Sequence, residues 1–265
     1  LQKNRQKLKK QEKELLATEN AEEFRQKGEL LTTFLHQVPN DQDQVVLDNY
    51  YTNQPVTIML DKALTPSQNA QRYFKRYQKL KEAVKYLTEL IAETKATILY
   101  LESVETVLNQ AGLEEIAEIR EELIQTGFIR RRQREKIQKR KKPEQYLASD
   151  GKTIIYVGRN NLQNEELTFK MARKEELWFH AKDIPGSHVV ISGNLDPSDE
   201  VKTDAAELAA YFSKGRLSNL VQVDMLEVKK LNKPTGGKPG FVTYTGQKTL
   251  RVTPDPEKIA SMKKS

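Results

Sequence analysis

The stretch "EELWFHAKDIPGSHVVISGN", residues 175–194, places two short runs rich in β-branched and aromatic residues on either side of Pro185-Gly186. "LWFHA" and "SHVVIS" have the length and composition of strands, and the Pro-Gly pair breaks any regular register between them. The same texture fills the second half of the chain. "KTIIYVG", "LVQVDMLEV", "GFVTYT" and "KTLRV" are runs of this kind, separated by Asp-Gly, Pro-Gly and Gly-Gly turns. One helix interrupts them: "DPSDEVKTDAAELAAYFSKGR" has a capping serine or aspartate near 196–199 and sets Ala205, Leu208, Ala209 and Phe212 on one face. The expectation for residues 143–265 is a compact α+β domain, a mixed and largely antiparallel sheet with one packed helix.

The first half reads differently. Between Gln68 and Gln110 there is neither proline nor glycine, and Tyr73, Tyr77, Leu80, Val84, Leu87, Ile91, Thr94, Ile98, Leu101 and Leu108 alternate in steps of four and three, with Glu105 as the polar interruption. That is a heptad seam. Thr65 is placed to cap this helix and Pro66 to open it. Residues 1–35 are also helical in composition, but Leu8, Leu15, Leu16, Phe24, Leu30, Leu31 and Phe34 form a sparser apolar set. "QVVLDNYY" and "PVTIML" predict a small β-hairpin near 44–60, and "LEEIAEIREELIQ" (113–125) a further helix. Residues 1–142 are thus expected to form a long antiparallel coiled-coil arm. The spacing leaves open whether the seam is covered by the first helix or by a second copy of the chain.

There is no cysteine, which excludes disulfides and Cys-ligated zinc and suits a reducing compartment. No apolar run approaches the roughly 20 residues of a membrane-spanning helix. The chain opens on Leu1 inside a charged helical pattern, and a C-terminal piece of a longer protein is expected. The net charge of +7 is concentrated in "RRRQREKIQKRKK" (130–142), which carries nine basic residues and one acid and leaves the remainder near neutrality. Arg130, Arg131, Arg132, Arg134, Lys139 and Arg140 therefore form a local polycation suited to phosphate backbones or acidic surfaces.

Catalytic signals are weak. "GKT" at 151–153 would need a glycine where Tyr146 stands, so Asp150-Gly151 is better read as a hairpin turn. His180 and His188 are eight apart with no third histidine nearby, which argues against a metal site. Neither Ser187 nor Ser192 sits in a nucleophile elbow. In a strand, Trp178 and Phe179 point to opposite faces, so one is core and the other is either available for stacking on a partner or packed as well, the commoner place for a lone tryptophan. Arg173, Lys174, Lys182, Lys214, Arg216, Lys229, Lys230, Lys233 and Lys238 fall at strand ends and loops. "KKLNKPTGGKPG" (229–240) would let backbone N–H groups approach a phosphate. These features describe a binder, with no enzyme activity and no cofactor expected.

The string from Ser149 to Ile191, followed by "AAELAAYFSKGR", "VDMLEVKKLNKPTGGKPGFV" and "TLRVTPD", resembles the C-terminal domain of the NFACT family from about Tyr146 to Asp255. Upstream, "NYYTNQPVTIMLDKALTPSQNAQRYFKRYQKLKEA" is similar to the family's coiled-coil segment. The resemblance implies a ribosome-quality-control factor. In this family the whole protein binds a large ribosomal subunit blocked by peptidyl-tRNA and recruits alanyl-tRNA to extend the stalled chain. The C-terminal domain is its RNA-binding module, and catalytic residues, if present, would belong to an N-terminal domain. By the same resemblance Arg173, Trp178, His180, Lys182 and His188 lie in the module's signature stretch. The family is also described as a fibronectin-binding protein of Gram-positive cocci, which makes a surface adhesin the alternative. The expected partners are thus the large ribosomal subunit and tRNA in the cytoplasm, or fibronectin at the cell surface.

Replacing Arg130, Arg131, Arg132 and Arg134 by Glu is expected to remove most RNA affinity without unfolding the chain, because a solvated charge run contributes little to a core. Anisotropy with labelled tRNA, beside a circular-dichroism melt, checks this. Unchanged binding by a folded variant would move the RNA site to the second half.

Overall fold

The computed structural model describes residues 1–131 and 141–264. Arg132, Arg134, Lys139 and Arg140 of the polycation lie outside the described residues. The architecture is α+β, a helix-rich first part followed by an antiparallel six-stranded sheet. By its contacts the chain divides into two units, Leu1–Lys95 and Ala96–Ser265.

In the first unit, helices α1 (Gln2–Leu16) and α2 (Ala21–Thr33) precede the expected hairpin of β1 (Gln44–Asn49) and β2 (Gln54–Met59). Leu47 and Ile58 face inward onto Leu30 and Leu31 of α2 and Ala70 of α3 (Pro66–Leu108), while Val46 and Met59 on the opposite face are exposed. The start of α3 is a capping box. The Gln68 N–H donates to Thr65 Oγ1 (3.2 Å) and the Thr65 N–H donates to Gln68 Oε1 (2.9 Å). Buried Asn69 ties the preceding loop to the helix, its Nδ2 donating to the carbonyls of Asp61, Leu64 and Thr65 and its Oδ1 accepting from the Asp61 N–H.

Pairing with α3 is antiparallel: Glu12 reaches Lys95 at 3.3 Å, whereas Phe24 lies against Tyr73 and Arg76 and Gly28 against Phe74. An added Cβ at Gly28 would come within 3.0 Å of the Phe74 ring. The residues α1 and its C-terminal turn withdraw from solvent are Leu1, Asn4, Leu8, Gln11, Leu15 and Thr18. They form a heptad seam of their own in which every second member is polar, which is why its sequence pattern is faint. On α3, Leu87, Ile91, Thr94 and Ile98 are buried as the spacing predicts. Beyond them the seam shifts. Tyr100, Val104 and Val107 are buried in place of Leu101, Glu105 and Leu108, because Ile119 of α4 (Leu113–Gln125) packs on that side with Leu123 and Phe128.

The second unit is built on strands β3 (Glu144–Leu147), β4 (Ile154–Val157), β5 (Leu177–Ala181), β6 (Val189–Ser192), β7 (Val221–Glu227) and β8 (Lys248–Val252). They pair antiparallel throughout, in the order β3-β4-β6-β5-β7-β8. The Asp150-Gly151 turn joins β3 to β4 as expected, with Gly151 at φ +69° and the Asp150 carboxylate accepting from the Lys152 and Thr153 N–H groups.

One sheet face, carrying Phe179, Ala181, Val189, Ile191, Val223 and Met225, is covered by α6 (Asp199–Tyr211), which Ser198 caps, and by α7 (Pro256–Met262). The other face carries Trp178, Val190 and Leu226 under Leu167, Val228 and Leu231, with Val242 and Tyr244 packed against them. Trp178 and Phe179 are both 0% exposed. Both rings are thus packing residues, the usual place of a lone tryptophan, and neither is free to stack on a partner: the segment after β7 lies over the Trp178 face. "GFVTYT" is accordingly not a strand. It joins Asn232 through a bridge at Thr243 and spends its apolar residues on covering the sheet. Three elements have no counterpart in the sequence reading: β3, the short α5 (Asn161–Glu166) running into a π-helical turn at Leu167–Met171, and α7.

Helix α4 is held to α5 by buried carboxylates. Glu122, 1% exposed, accepts from Tyr100 Oη (2.7 Å), the Asn161 N–H (3.0 Å) and Asn161 Nδ2 (2.9 Å). Glu118 accepts from Asn160 Nδ2 (2.9 Å) and Gln163 Nε2 (2.7 Å). Burial pushes the Glu122 carboxyl above its usual range, against the pull of hydrogen bonds from Asn161 and Tyr100. Removing this acceptor strands several buried donors, so Glu122→Ala should destabilise the second unit by on the order of 3 kcal/mol and the isostere Glu122→Gln by less. Urea unfolding followed by Trp178 fluorescence reads this unit, since the tryptophan lies in its core.

Candidate nucleic-acid interface

The Pro185-Gly186 turn of the signature stretch and a second pair, Pro239-Gly240, line one cleft of about 360 Å³. Tyr100 and Ser103 of α3, Asn161 and Asn164 of α5, His180 and His188, and Phe241, Val242 and Tyr244 contribute to its walls. Close approach of backbone sets its shape. Gly240 has φ +73°, and a Cβ there would lie 3.1 Å from Asn161 Oδ1. A Cβ on Gly186 would meet the Ser213 Cβ at 2.9 Å.

The histidines sit at the inner end of this cleft. His180 lies parallel to Trp178 with ring centroids 5.6 Å apart, and His188 meets both rings edge-on. His188 Nδ1 is 2.7 Å from Thr168 Oγ1, and its backbone N–H donates to Asn164 Oδ1. Across the ladder from His180, Asp224 accepts from Tyr244 Oη (3.1 Å) and Thr249 Oγ1 (2.7 Å). Burial pushes His180 down to about 4 and His188 well below its usual value, so both rings are neutral near pH 7. No group of three or more metal-ligating side chains is found among the described residues.

The basic residues singled out in the sequence separate into groups. Arg173, Lys174, Lys229 and Lys230 are exposed and lie together, because the Lys229 N–H donates to the Lys174 carbonyl (2.9 Å) where β5 begins and β7 ends. At the opposite end of the same strands stand Lys182, whose N–H donates to the Gln222 carbonyl (2.8 Å), and Lys214, whose N–H donates to the Pro185 carbonyl (2.8 Å). Arg216 packs its guanidinium 4.0 Å from the Tyr211 ring. In the covering loop, Lys233 pairs with Glu165 (2.8 Å) and Lys238 approaches the Phe128 ring at 5.4 Å. Arg130 is exposed, whereas Arg131 is bound to Glu121 of α4. Trp178 is an interior residue and not a surface contact, whereas His188, 3% exposed, and partly buried His180 are reached only from the cleft.

Asn161, Asn164 and Tyr244, which line the cleft, are not among the residues singled out from the sequence, nor is Asp224, which accepts from Tyr244. The signal was "RNNLQN" (159–164), a run without acids directly after a strand. Arg159 itself is 7% exposed, lies 4.1 Å from the Phe212 ring, and faces Glu115 and Glu144 at 3.6 and 3.7 Å.

Residues 1–142 match the family model for the NFACT N-terminal and middle domains, and residues 142–246 match that for the NFACT protein RNA binding domain. The chain belongs to the NFACT family. It is 94% identical over all 265 residues to a Streptococcus pneumoniae protein described as "Rqc2 homolog RqcH", of which it covers 48%. Proteins of the same description from Streptococcus suis and Bacillus subtilis are 78% and 44% identical, each over 99% of this chain and 48% and 47% of theirs. The chain therefore spans about half the length of the curated NFACT relatives it matches. Its fold is also that of the C-terminal part of the fibronectin/fibrinogen-binding protein from Streptococcus suis, with TM-score 0.83 and 69% identity over 99% of this chain and 92% of that one. Among the described residues no helix is long and apolar enough to cross a membrane.

The neutral histidines give the NFACT head a pH dependence. The folded value of His180 lies below its ordinary 6.5. Stability is therefore unaffected above about pH 7 and falls as pH drops from 6.5 toward 4, because only the unfolded chain takes up that proton. The loss attributable to His180 between pH 7 and 4.5 should be about 2 kcal/mol. Comparing denaturant unfolding of wild type and His180→Gln at the two pH values isolates it, the variant showing a correspondingly shallower decline.

Proposed function

We propose that this chain is the RNA-gripping part of a ribosome-quality-control factor, binding large-subunit rRNA and tRNA on stalled ribosomes in the cytoplasm. In the whole protein that grip serves alanine tailing of the blocked chain. The observation that carries the reading is where the RNA-binding-domain match falls: residues 142–246 hold five of the six strands of the sheet, whose ends present Arg173, Lys174, Lys229 and Lys230 on one side and Lys182 and Lys214 on the other. Lysines and arginines exposed at loop ends suit a phosphate backbone, whose neutralisation supplies most of the affinity for RNA. In this reading the chain binds and positions RNA and catalyses nothing. The high identity to relatives described as RqcH supports it from outside the geometry.

A second reading, fibronectin binding at a cell surface, draws on the description of the solved streptococcal relative. Its physical counterpart is the edge strand β8, which pairs on one side with β7 and could add a strand of a partner on the other. The Lys248 and Arg251 side chains on β8 disfavour indiscriminate pairing at that edge.

Fluorescence anisotropy of this chain with labelled tRNA and with labelled fibronectin fragments, at 50 and 200 mM salt, separates the two. The ribosome reading expects tRNA binding that weakens steeply at the higher salt, and weak fibronectin binding at both. Tight fibronectin binding that survives 200 mM salt, with tRNA bound weakly, would replace it with the adhesin.

A further inference from the structure

We propose that the cleft between the two Pro-Gly turns receives a single unstacked base of the bound RNA, while the lysines around it hold the flanking phosphates. The inference rests on the RNA reading above and adds to it a specific pocket. The cleft, at about 360 Å³, falls within the range of pockets that enclose small organic ligands, and a flat heterocycle is the part of RNA that fits such a space. Its walls offer ring surface as well as hydrogen-bonding groups. Phe241 and Tyr244 are partly exposed there, and the neutral imidazoles of His180 and His188 complete the aromatic lining.

Two polar groups are positioned for a ligand and not used by the fold. Asn164 is 2% exposed and accepts the His188 N–H through Oδ1, but its Nδ2 makes no hydrogen bond among the described residues. That amide is a donor at the inner end of the cleft. At the mouth stands Asp183, exposed and in the left-handed conformation (φ +56°) that aspartate tolerates in turns. Its carboxylate lines the cleft with Tyr244 and is an acceptor for an exocyclic amine. A donor and an acceptor beside aromatic rings match the edge and the face of a base.

The rim supplies the complementary charge. Lys182 precedes Asp183, Lys238 precedes Pro239-Gly240, and Lys214 is hydrogen-bonded through its backbone to Pro185. These three lysines flank the two turns and can engage the phosphates on either side of an inserted nucleotide. Sequence-tolerant recognition of single-stranded RNA commonly combines such a basic border with a stacking surface.

Trp178 makes the test direct, because its indole lies behind His180 and Tyr244, at centroid distances of 5.6 and 5.3 Å, and it is the single tryptophan in the chain. The chain is titrated with an eight-nucleotide oligo(A) and with an abasic ribose-phosphate oligomer of the same length and charge, following Trp178 emission. Expected is a change in emission with oligo(A) and none with the abasic chain. Phe241→Ala should weaken oligo(A) binding about tenfold, the effect of one lost stacking contact, at an unchanged salt slope, whereas Lys214→Ala should lower the slope by about one. Equal affinity for the two oligomers, with silent Trp178 and tRNA still bound, would overturn the pocket and leave the RNA reading standing. Failure of tRNA itself to bind would bring down both. The wild-type comparison needs no variant, so an unstable Phe241→Ala does not weaken the test.

Discussion

Water is kept from both faces of the central strands of the six-stranded sheet, and where the sheet carries its charges follows from that. Phe179 and Trp178, adjacent in sequence, are driven into two separate cores, one beneath α6 and α7 and one beneath the segment that follows β7. A strand in this position has no side that tolerates an unpaired charge. Asp224 is the exception within β7, and it is satisfied by Tyr244 and Thr249. Lysines and arginines are therefore expelled to the strand ends and to the covering loop, where they gather around the turns. The surface suited to a polyanion is thus a by-product of how the core closes.

The same burial accounts for the chemistry of the histidines. In a dry setting the charged imidazolium is disfavoured, and the rings persist as neutral hydrogen-bonding groups, His180 stacked on Trp178 and His188 edge-on to it. The carboxylates of α4 answer a different demand. Glu118 and Glu122 are buried because α5 begins with Asn160 and Asn161, whose amides need acceptors that the short helix cannot provide. Apolar contacts between Ile119 and the Tyr100 cluster bring α4 close, and the carboxylate-amide pairs fix its register. The shift of the buried face along α3 belongs to this arrangement, since Tyr100 contributes both its ring and its hydroxyl.

Much of this was legible in the chain itself. The heptad spacing of α3 between Leu87 and Ile98, the Thr65 cap, the hairpin of "QVVLDNYY" and "PVTIML", the Ser198 cap and the Asp150-Gly151 turn are local signals that tertiary structure left intact. What escaped was decided by partners distant in sequence. "GFVTYT" has strand composition, yet its apolar residues are used to roof the sheet. β3 reads as "EQYL", without a β-branched residue, and is a strand because β4 is beside it. "RNNLQN" looks like a loop until α4 supplies its acceptors. Of the candidate site residues, the basic ones at strand ends are positioned by the backbone ladder, a pairing that no spacing rule could reveal. Trp178 and His188 were conspicuous for their rarity, and rarity says nothing about which side of a sheet a residue faces.

The alternating seam of α1 bears on how the first unit moves. Leu1, Leu8 and Leu15 are interleaved with Asn4, Gln11 and Thr18, and the Gln11 amide is 4% exposed with no hydrogen-bond partner among the described residues. Each polar member withholds apolar burial, and an unpartnered amide costs free energy that its return to water would restore. Detachment of α1 therefore costs little compared with opening the α2-hairpin cluster around Leu30, Leu31, Leu47 and Ile58. The backbone amides of α1 would exchange with solvent through a local opening long before those of the hairpin, which makes this helix a separately releasable layer on a firmer base.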